Sequence, residues 1–213
     1  MGGKSYCLMF FITEKTVNMS DQNVDRLEKF KSITTEVFAL TLGLGAFSLS
    51  IIPRTSILEV AQAVGVFGIA FFYIAIVWII NFRFFEKYPL YDNIFLALNF
   101  VILFMVAISP FLMQGFSLSS DFGDKMSILY ALDIMGIFAI LGVLHHKYLL
   151  QNKERLEAQK TREVKMDRNM QFIIALWFLT SAVIPLPYRF IFWMLLAPIP
   201  PLYRHRIGPL HVK

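Results

Sequence analysis

Apolar residues run along this chain in long blocks that are separated by short polar or proline-marked turns. A helix needs about 20 mostly apolar residues to cross a bilayer, and about 17 at the least. Six blocks fit or approach this length, and we predict six transmembrane helices at approximately 34–52, 56–82, 93–116, 126–149, 170–184 and 190–202. The last two are short, and the sequence PLPYR between them predicts a tight hairpin.

The composition is that of a membrane protein. Hydrophobic residues make up 57% of the 213 residues and charged residues only 16%, whereas soluble domains carry roughly 25% charged residues. We therefore predict an all-α integral membrane protein. The net charge of +5 is explained by membrane orientation, so no nucleic acid partner is predicted.

The basic residues are distributed unevenly between the two sets of predicted loops. If both termini are cytoplasmic, all of the 20 Lys and Arg residues lie in cytoplasmic segments except Arg54, Lys125 and Arg189. Because Lys and Arg in short loops stay in the cytoplasm, this bias predicts cytoplasmic N and C termini and an even number of spans.

The spans and charges divide the chain into three parts. We expect a cytoplasmic N-terminal segment at 1–32, of which 1–18 is dispensable, a transmembrane domain at 33–203 and a cytoplasmic tail at 204–213. The stretch 145–170 is rich in charge and free of Gly and Pro. We therefore expect the fourth span to continue as a charged cytoplasmic helical connector at about 150–168.

Few residues in the predicted spans can carry chemistry. The chain has one cysteine, Cys7, and no protease, hydrolase or phosphate-binding motif, so we predict no enzyme activity, no metal site and no cofactor. Asp133 lies inside the fourth predicted span and is a candidate intramembrane polar site. It is either a packing aspartate, bonded to a neighbouring hydroxyl such as that of Tyr130, or part of a proton or ion relay.

The first predicted span is rich in small and polar residues. Its glycines and serines either let helices approach closely or line a watery path. Glu36, at its cytoplasmic end, either caps the helix or attracts cations to a pore mouth. Helical spacing places on one face Glu36, Leu40, Gly43, Phe47 and Ser50.

One stretch of the chain, residues 78–111, resembles the six-span prokaryotic relatives of the transmembrane protein 175 family, which includes the lysosomal potassium channel. Its sequence is WIINFRFFEKYPLYDNIFLALNFVILFMVAISPF. The positions that match in order and spacing are Trp78, Arg83, Phe85, Asp92, Leu96, Leu98, Asn99, Pro110 and Phe111. The final hairpin is similar to the end of the family too, so the resemblance extends from Arg26 to Arg204.

The first-span signature of that family, Arg-x-x-x-Phe-Ser-Asp followed by Val-Phe-Ala, is altered in this chain. Residues 37–39 supply the Val-Phe-Ala, and anchoring the signature on them aligns it with Lys29, Ile33, Thr34 and Thr35. A frame shifted by three residues aligns it instead with Arg26, Phe30, Lys31 and Ser32. Neither frame keeps the aspartate.

The resemblance implies a homotetramer in membrane lipid that passes potassium or other monovalent cations, and in the lysosomal relative also protons. The four first spans would line the path, with a hydrophobic constriction at Leu40 and with Gly43 and Phe47 facing the axis. The pore entrance would comprise Thr34, Thr35 and Glu36, and the other family-matching residues of structural importance would be Trp78, Asn99, Pro110 and Phe111.

Two further points follow from the resemblance. A single six-span unit is similar to the prokaryotic relatives, which implies a prokaryotic plasma membrane. The altered signature motivates an alternative function, a non-conducting structural or accessory membrane subunit of a larger complex.

Overall fold

The computed structural model describes residues 25, 28–47, 56–88, 92–115, 121–186 and 188–196. Within these ranges the chain forms six α-helices and no β-strand, which confirms the all-α fold class. The helices are α1 at 28–47, α2 at Ile57–Lys87, α3 at Asn93–Gln114, α4 at Asp121–Gln151, α5 at Ala158–Ser181 and α6 at Tyr188–Met194.

Among the described residues, α2, α3 and α4 are the three helices long and apolar enough to cross a membrane. They correspond to the predicted spans 56–82, 93–116 and 126–149. The first predicted span is described only as far as residue 47, and the end of the sixth lies outside the described residues. The predicted terminal segments 1–18 and 204–213 also lie outside them.

Polar side chains fix where α2 and α3 begin. The hydroxyl of Ser56 accepts a hydrogen bond from the N–H of Glu59 at 3.2 Å, and a carboxylate oxygen of Asp92 accepts one from the N–H of Phe95 at 2.6 Å. These bonds satisfy N–H groups that have no partner within the first turn of a helix. Asp92, one of the family-matching residues, is therefore the N-cap of α3.

The segment after α4 differs from the predicted continuous connector. α4 ends at Gln151, a turn occupies 152–157, and α5 begins at Ala158. The Asn152 side chain donates to the Tyr148 carbonyl at 3.0 Å, and the Asn152 carbonyl accepts from the N–H groups of Arg155 and Leu156. These local bonds end the helix, because an asparagine side chain competes with the helical backbone. The charged residues from 158 onward form the first part of α5.

The core lies where α4 packs along α5, with α3 on another side of α4. Phe178 of α5 contacts Tyr73 of α2 edge-on at 4.9 Å between ring centroids and stacks on Phe138 of α4 at 6.5 Å. A Cβ added to Gly142 of α4 would lie 2.8 Å from the Phe172 ring of α5. A larger residue at this position would therefore have to displace that ring.

A buried arginine holds α6 against α4 and α5. The Arg189 side chain is 1% exposed and forms an ion pair of 3.0 Å with Asp124. It also donates to the Ser127 hydroxyl and, at 3.0 Å, to the carbonyl of Ser181. The indole N–H of Trp193 donates to the Ser181 hydroxyl at 2.8 Å. Because a buried charge is tolerated only when it is paired and hydrogen-bonded, this cluster fixes the position of α6.

Candidate pore face and polar sites

Helix α1 has one face packed on the bundle and one face exposed. The packed face carries Phe38 and Thr41, both buried. The exposed face carries Leu40, which is 63% exposed, Phe47, which is 62% exposed, and Gly43 between them. One exposed face of α1 thus carries the three residues that the resemblance assigned to a constriction.

The structure places Thr34 differently from the prediction. Thr34 is 3% exposed, and its hydroxyl donates to the Phe30 carbonyl at 2.8 Å. One turn earlier, the ring of Phe30 packs edge-on against Phe85 at 5.6 Å and Phe100 at 5.1 Å, which turns this side of α1 toward the bundle. Thr34 therefore lies on the packed side of α1, away from Leu40, and its predicted role at a pore entrance stays a prediction.

The two neighbouring residues remain accessible. Thr35 is half-buried and donates to the Lys31 carbonyl at 3.0 Å, whereas Glu36 is exposed and accepts from the Ser32 hydroxyl at 3.1 Å. Helix α1 already includes residue 28, so Glu36 lies about two turns inside it and does not cap it. Glu36 is thus an acidic group on the same exposed side as Leu40.

The glycines of α1 and α2 fall into two groups. A Cβ added to Gly45 would lie 3.1 Å from the Phe67 ring, so this glycine serves contact between α1 and α2. Around Gly43, Gly65 and Gly68, no described neighbour comes within 4 Å of such a Cβ. Close packing between α1 and α2 explains Gly45, whereas the other three glycines have no such neighbour among the described residues.

Asp133 is held by a residue that the sequence did not single out. Its carboxyl group is buried in α4, 2.9 Å from the hydroxyl of Ser109 on α3. Ser109 precedes Pro110, inside the family-matching stretch, which is the one sequence signal that pointed toward it. The bond between α3 and α4 supports the packing interpretation of Asp133. Tyr130 was the partner that the sequence suggested.

The remaining family-matching residues do not form one site. Asn99 and Pro110 are buried on the inner side of α3, and the Asn99 side chain donates to the Phe95 carbonyl at 2.9 Å. Trp78 and Phe111 face outward. Within the described residues, no group of three or more His, Cys, Asp and Glu side chains is arranged to hold a metal ion.

Asp92 also ties the start of α3 to the end of α4. Its carboxylate forms an ion pair of 2.6 Å with Lys147 and accepts from the Gln151 amide at 2.8 Å. Partial burial alone would raise the pKa of the Asp92 carboxyl, but Lys147, the Phe95 N–H and Gln151 together hold the pKa below its usual value of 3.8. This link lies at the end of the bundle that the charge pattern predicts to be cytoplasmic.

A second polar link at the same end joins α2 to α5. The Tyr88 hydroxyl, just after α2, donates to Asp167 at 3.1 Å, and burial together with that carboxylate raises the pKa of the Tyr88 phenol. Beside it lies a cleft of about 530 Å³. The cleft has charges of both signs, and its lining is Glu86, Lys87, Tyr88, Glu157, Gln159, Lys160 and Glu163.

The fold and these sites define an α-helical integral membrane protein whose first helix leaves an apolar face uncovered. Residues 26–110 match the family model described as endosomal/lysosomal potassium channel TMEM175. The predicted family, transmembrane protein 175, is thereby confirmed over this range.

A solved structure is similar over most of the chain. It is the crystal structure of a threonine-to-alanine variant of the potassium channel MtTMEM175 in complex with a nanobody–MBP fusion protein. The TM-score is 0.60 at 21% identity, and the match covers 85% of this chain and 92% of that chain. At this identity the likeness concerns the fold. Among curated proteins no sequence matches at a significant level.

Proposed function

We propose that the protein is a potassium-conducting cation channel, formed in a prokaryotic plasma membrane by four copies whose α1 helices surround a shared axis. The observation that carries the proposal is the exposed face of α1 with Leu40, Gly43 and Phe47. The family match over residues 26–110 and the likeness in fold to a potassium channel support it.

The chemistry of this face fits a narrow gated path. A ring of four Leu40 side chains would form an apolar constriction that water leaves readily, and such constrictions gate ion flow by dewetting. Glu36 lies one turn before Leu40 on the exposed side of α1. Four carboxylates at one mouth would raise the local concentration of cations.

The open glycines support a close assembly. Gly43 on α1 and Gly65 and Gly68 on α2 have no described neighbour at the Cβ position. In membranes, small residues let helices of neighbouring chains approach closely. These three glycines would allow a helix of the neighbouring subunit to pack closely, whereas Gly45 allows α1 and α2 of the same subunit to pack closely.

The altered signature supports the alternative, a non-conducting accessory subunit. Neither alignment of the signature keeps the aspartate, and the Thr34 side chain is buried against the rest of its own chain. In this alternative, the exposed face of α1 would bind another membrane protein. The two functions predict opposite results in a flux assay.

The test is potassium flux from liposomes that carry the purified full chain. The variants are Leu40→Asn, which makes the constriction polar, and Leu176→Asn, which places the same change on an exposed leucine of α5. We expect Leu40→Asn to raise the flux several-fold, because a polar ring stays wetted, and Leu176→Asn to match the unmodified protein. Proton flux is followed in parallel with a pH-sensitive dye.

Two results would count against the proposal. No flux from any of the three proteins, each folded by circular dichroism, would reject conduction and favour the accessory subunit. Equal increases in both variants would reject Leu40 as the constriction.

A further inference from the structure

Three buried amide side chains leave hydrogen-bonding atoms without a partner in the part of the chain that the structure describes. These atoms are both Nδ2 and Oδ1 of Asn81, Oδ1 of Asn99 and Oε1 of Gln171. Asn81 and Asn99 are fully buried, and Gln171 is 4% exposed. Neither lipid nor a second subunit reaches such atoms, yet buried polar groups in folded proteins almost always have a partner.

The contacts around Asn81 and Asn99 place both residues at one level of the bundle. Asn81 lies one turn before Phe84 and Phe85, whose rings pack on Phe95 at 5.8 and 5.4 Å. Asn99 lies one turn after Phe95 and donates to its carbonyl. α2 and α3 are joined by a short connection and run in opposite directions. One turn back along α2 and one turn forward along α3 therefore lead from the aromatic contact to the same depth, where Asn81 and Asn99 lie.

The contacts between α2 and α5 bring Gln171 to this level. Tyr73 packs on Phe178 at 4.9 Å, and Tyr88 bonds to Asp167 at 3.1 Å. Along α2, Asn81 lies about midway between the two tyrosines, and Gln171 lies between their two partners on α5. Gln171 and Asn81 are therefore within about one turn of each other in depth.

The neighbouring side chains show that these amides point into the bundle. Each shares its helix face with buried residues one turn away, which are Val77 for Asn81, Ile102 for Asn99 and Ile174 for Gln171. Three inward-facing amides from three helices thus lie at about one depth of the bundle.

We propose that Asn81, Asn99 and Gln171 hold an internal water, which joins α2, α3 and α5 inside each subunit. The unpaired atoms are three carbonyl oxygens and one NH₂ donor. Water donates two hydrogen bonds and accepts others, so one water can donate to the Asn99 and Gln171 carbonyl oxygens and accept from the Asn81 NH₂ group, which leaves only the Asn81 carbonyl oxygen of this set. A cation would bind the oxygens but would leave the NH₂ group of Asn81 unpaired and facing a positive charge. The inference is independent of conduction.

A double-mutant cycle tests whether the amides are linked. Thermal unfolding of the full chain in detergent is compared for Asn81→Leu, Gln171→Leu and the double variant. We expect each single change to lower the midpoint by roughly 2–4 °C, the shift of about one lost hydrogen bond in a chain of this size. The double variant should lose less than the sum, because either change already breaks the shared bridge. The control pair, Asn81→Leu with Ser127→Ala near Arg189, should be additive.

A high-resolution cryo-EM map of the unmodified protein then identifies the bridge. We expect a solvent peak within hydrogen-bond distance of the Asn81 amide and of at least one other amide. A rise in the midpoint for Asn81→Leu, or additive losses in the cycle, would overturn the proposal. So would a map in which the amides bond directly to one another with no peak between them.

Discussion

The packed half of the bundle, around α4, α5 and α6, and the edge formed by α1 and α2 use small residues in different ways. In the packed half, Gly142 lies against the Phe172 ring, and Gly136 lies against Met105. On the edge, Gly43, Gly65 and Gly68 lie against nothing described. The first group of glycines brings helices of the chain together. The second group leaves the edge without a close neighbour among the described residues.

Large apolar residues do not follow this division. Val183, just after α5, is 86% exposed, whereas Val77 of α2 is fully buried. A membrane protein loses nothing by exposing apolar side chains to lipid, so exposure alone does not identify an interface. The edge is distinguished by glycines without a described neighbour that lie beside the exposed Leu40 and Phe47. The following variants compare the two regions.

The largest effect is expected at Arg189 in the packed half. Arg189→Met should lower the free energy of unfolding by about 3–5 kcal/mol, because Asp124 and several carbonyl groups lose a buried charged donor. Unfolding in mixed detergent measures the change. Lys125→Met is the matched control, since Lys125 is exposed and adjacent to Asp124. Equal losses in both variants would contradict the role of the buried cluster.

The same substitution at two glycines compares the regions directly. Gly142→Leu should cost about 1–3 kcal/mol of unfolding free energy, because the new side chain meets the Phe172 ring. Gly68→Leu should leave unfolding of the subunit unchanged but reduce the tetramer fraction in native mass spectrometry, because it fills the space for a neighbouring chain. Loss of subunit stability in Gly68→Leu, or an unchanged assembly, would argue against an intersubunit role for this edge.

A smaller, pH-dependent effect is expected at Asp92. The pKa of this carboxyl is lower in the folded chain than its usual 3.8, so its contribution is present above that value and is lost as the pH falls through the folded-state pKa. Asp92→Asn keeps an N-cap acceptor and removes only the charge. We expect it to cost about 0.2–1 kcal/mol at neutral pH, since the ion pair is partly exposed.

The pH profile separates this mechanism from a general loss of stability. Unfolding midpoints of the unmodified protein should fall more steeply than those of Asp92→Asn as the pH is lowered below 5. Parallel curves for the two proteins would show that the charge of Asp92 does not stabilise the folded chain.

The sequence predicted those features that depend on residues close together in the chain. Long apolar blocks were enough to predict α2, α3 and α4, and the match around Asn99 was enough to predict the family. The break after α4 was missed, because it depends on hydrogen bonds of a single asparagine, Asn152, within an otherwise helical composition.

Features that depend on contacts between helices were beyond the sequence pattern. Thr34 and Leu40 lie six residues apart on α1, and the packing of Phe30 decides which of them faces the bundle. Likewise, the partner of Asp133 depends on which residue of α3 lies opposite it, and Ser109 is not its neighbour in sequence. Leu40, Gly43 and Phe47 lie on one exposed face of α1. That this face lines a pore stays a prediction.

The most direct measurement is cross-linking between subunits at Leu40 in native membranes. Leu40→Cys is made in a Cys7→Ser background, which removes the one natural cysteine, and Leu176→Cys is the control on the exposed face of α5. We predict that oxidation links pairs of subunits through residue 40 and leaves the control monomeric. If Leu40→Cys stays monomeric and reacts with a lipid-soluble maleimide as readily as the control, α1 faces lipid and the account of a shared axis is wrong.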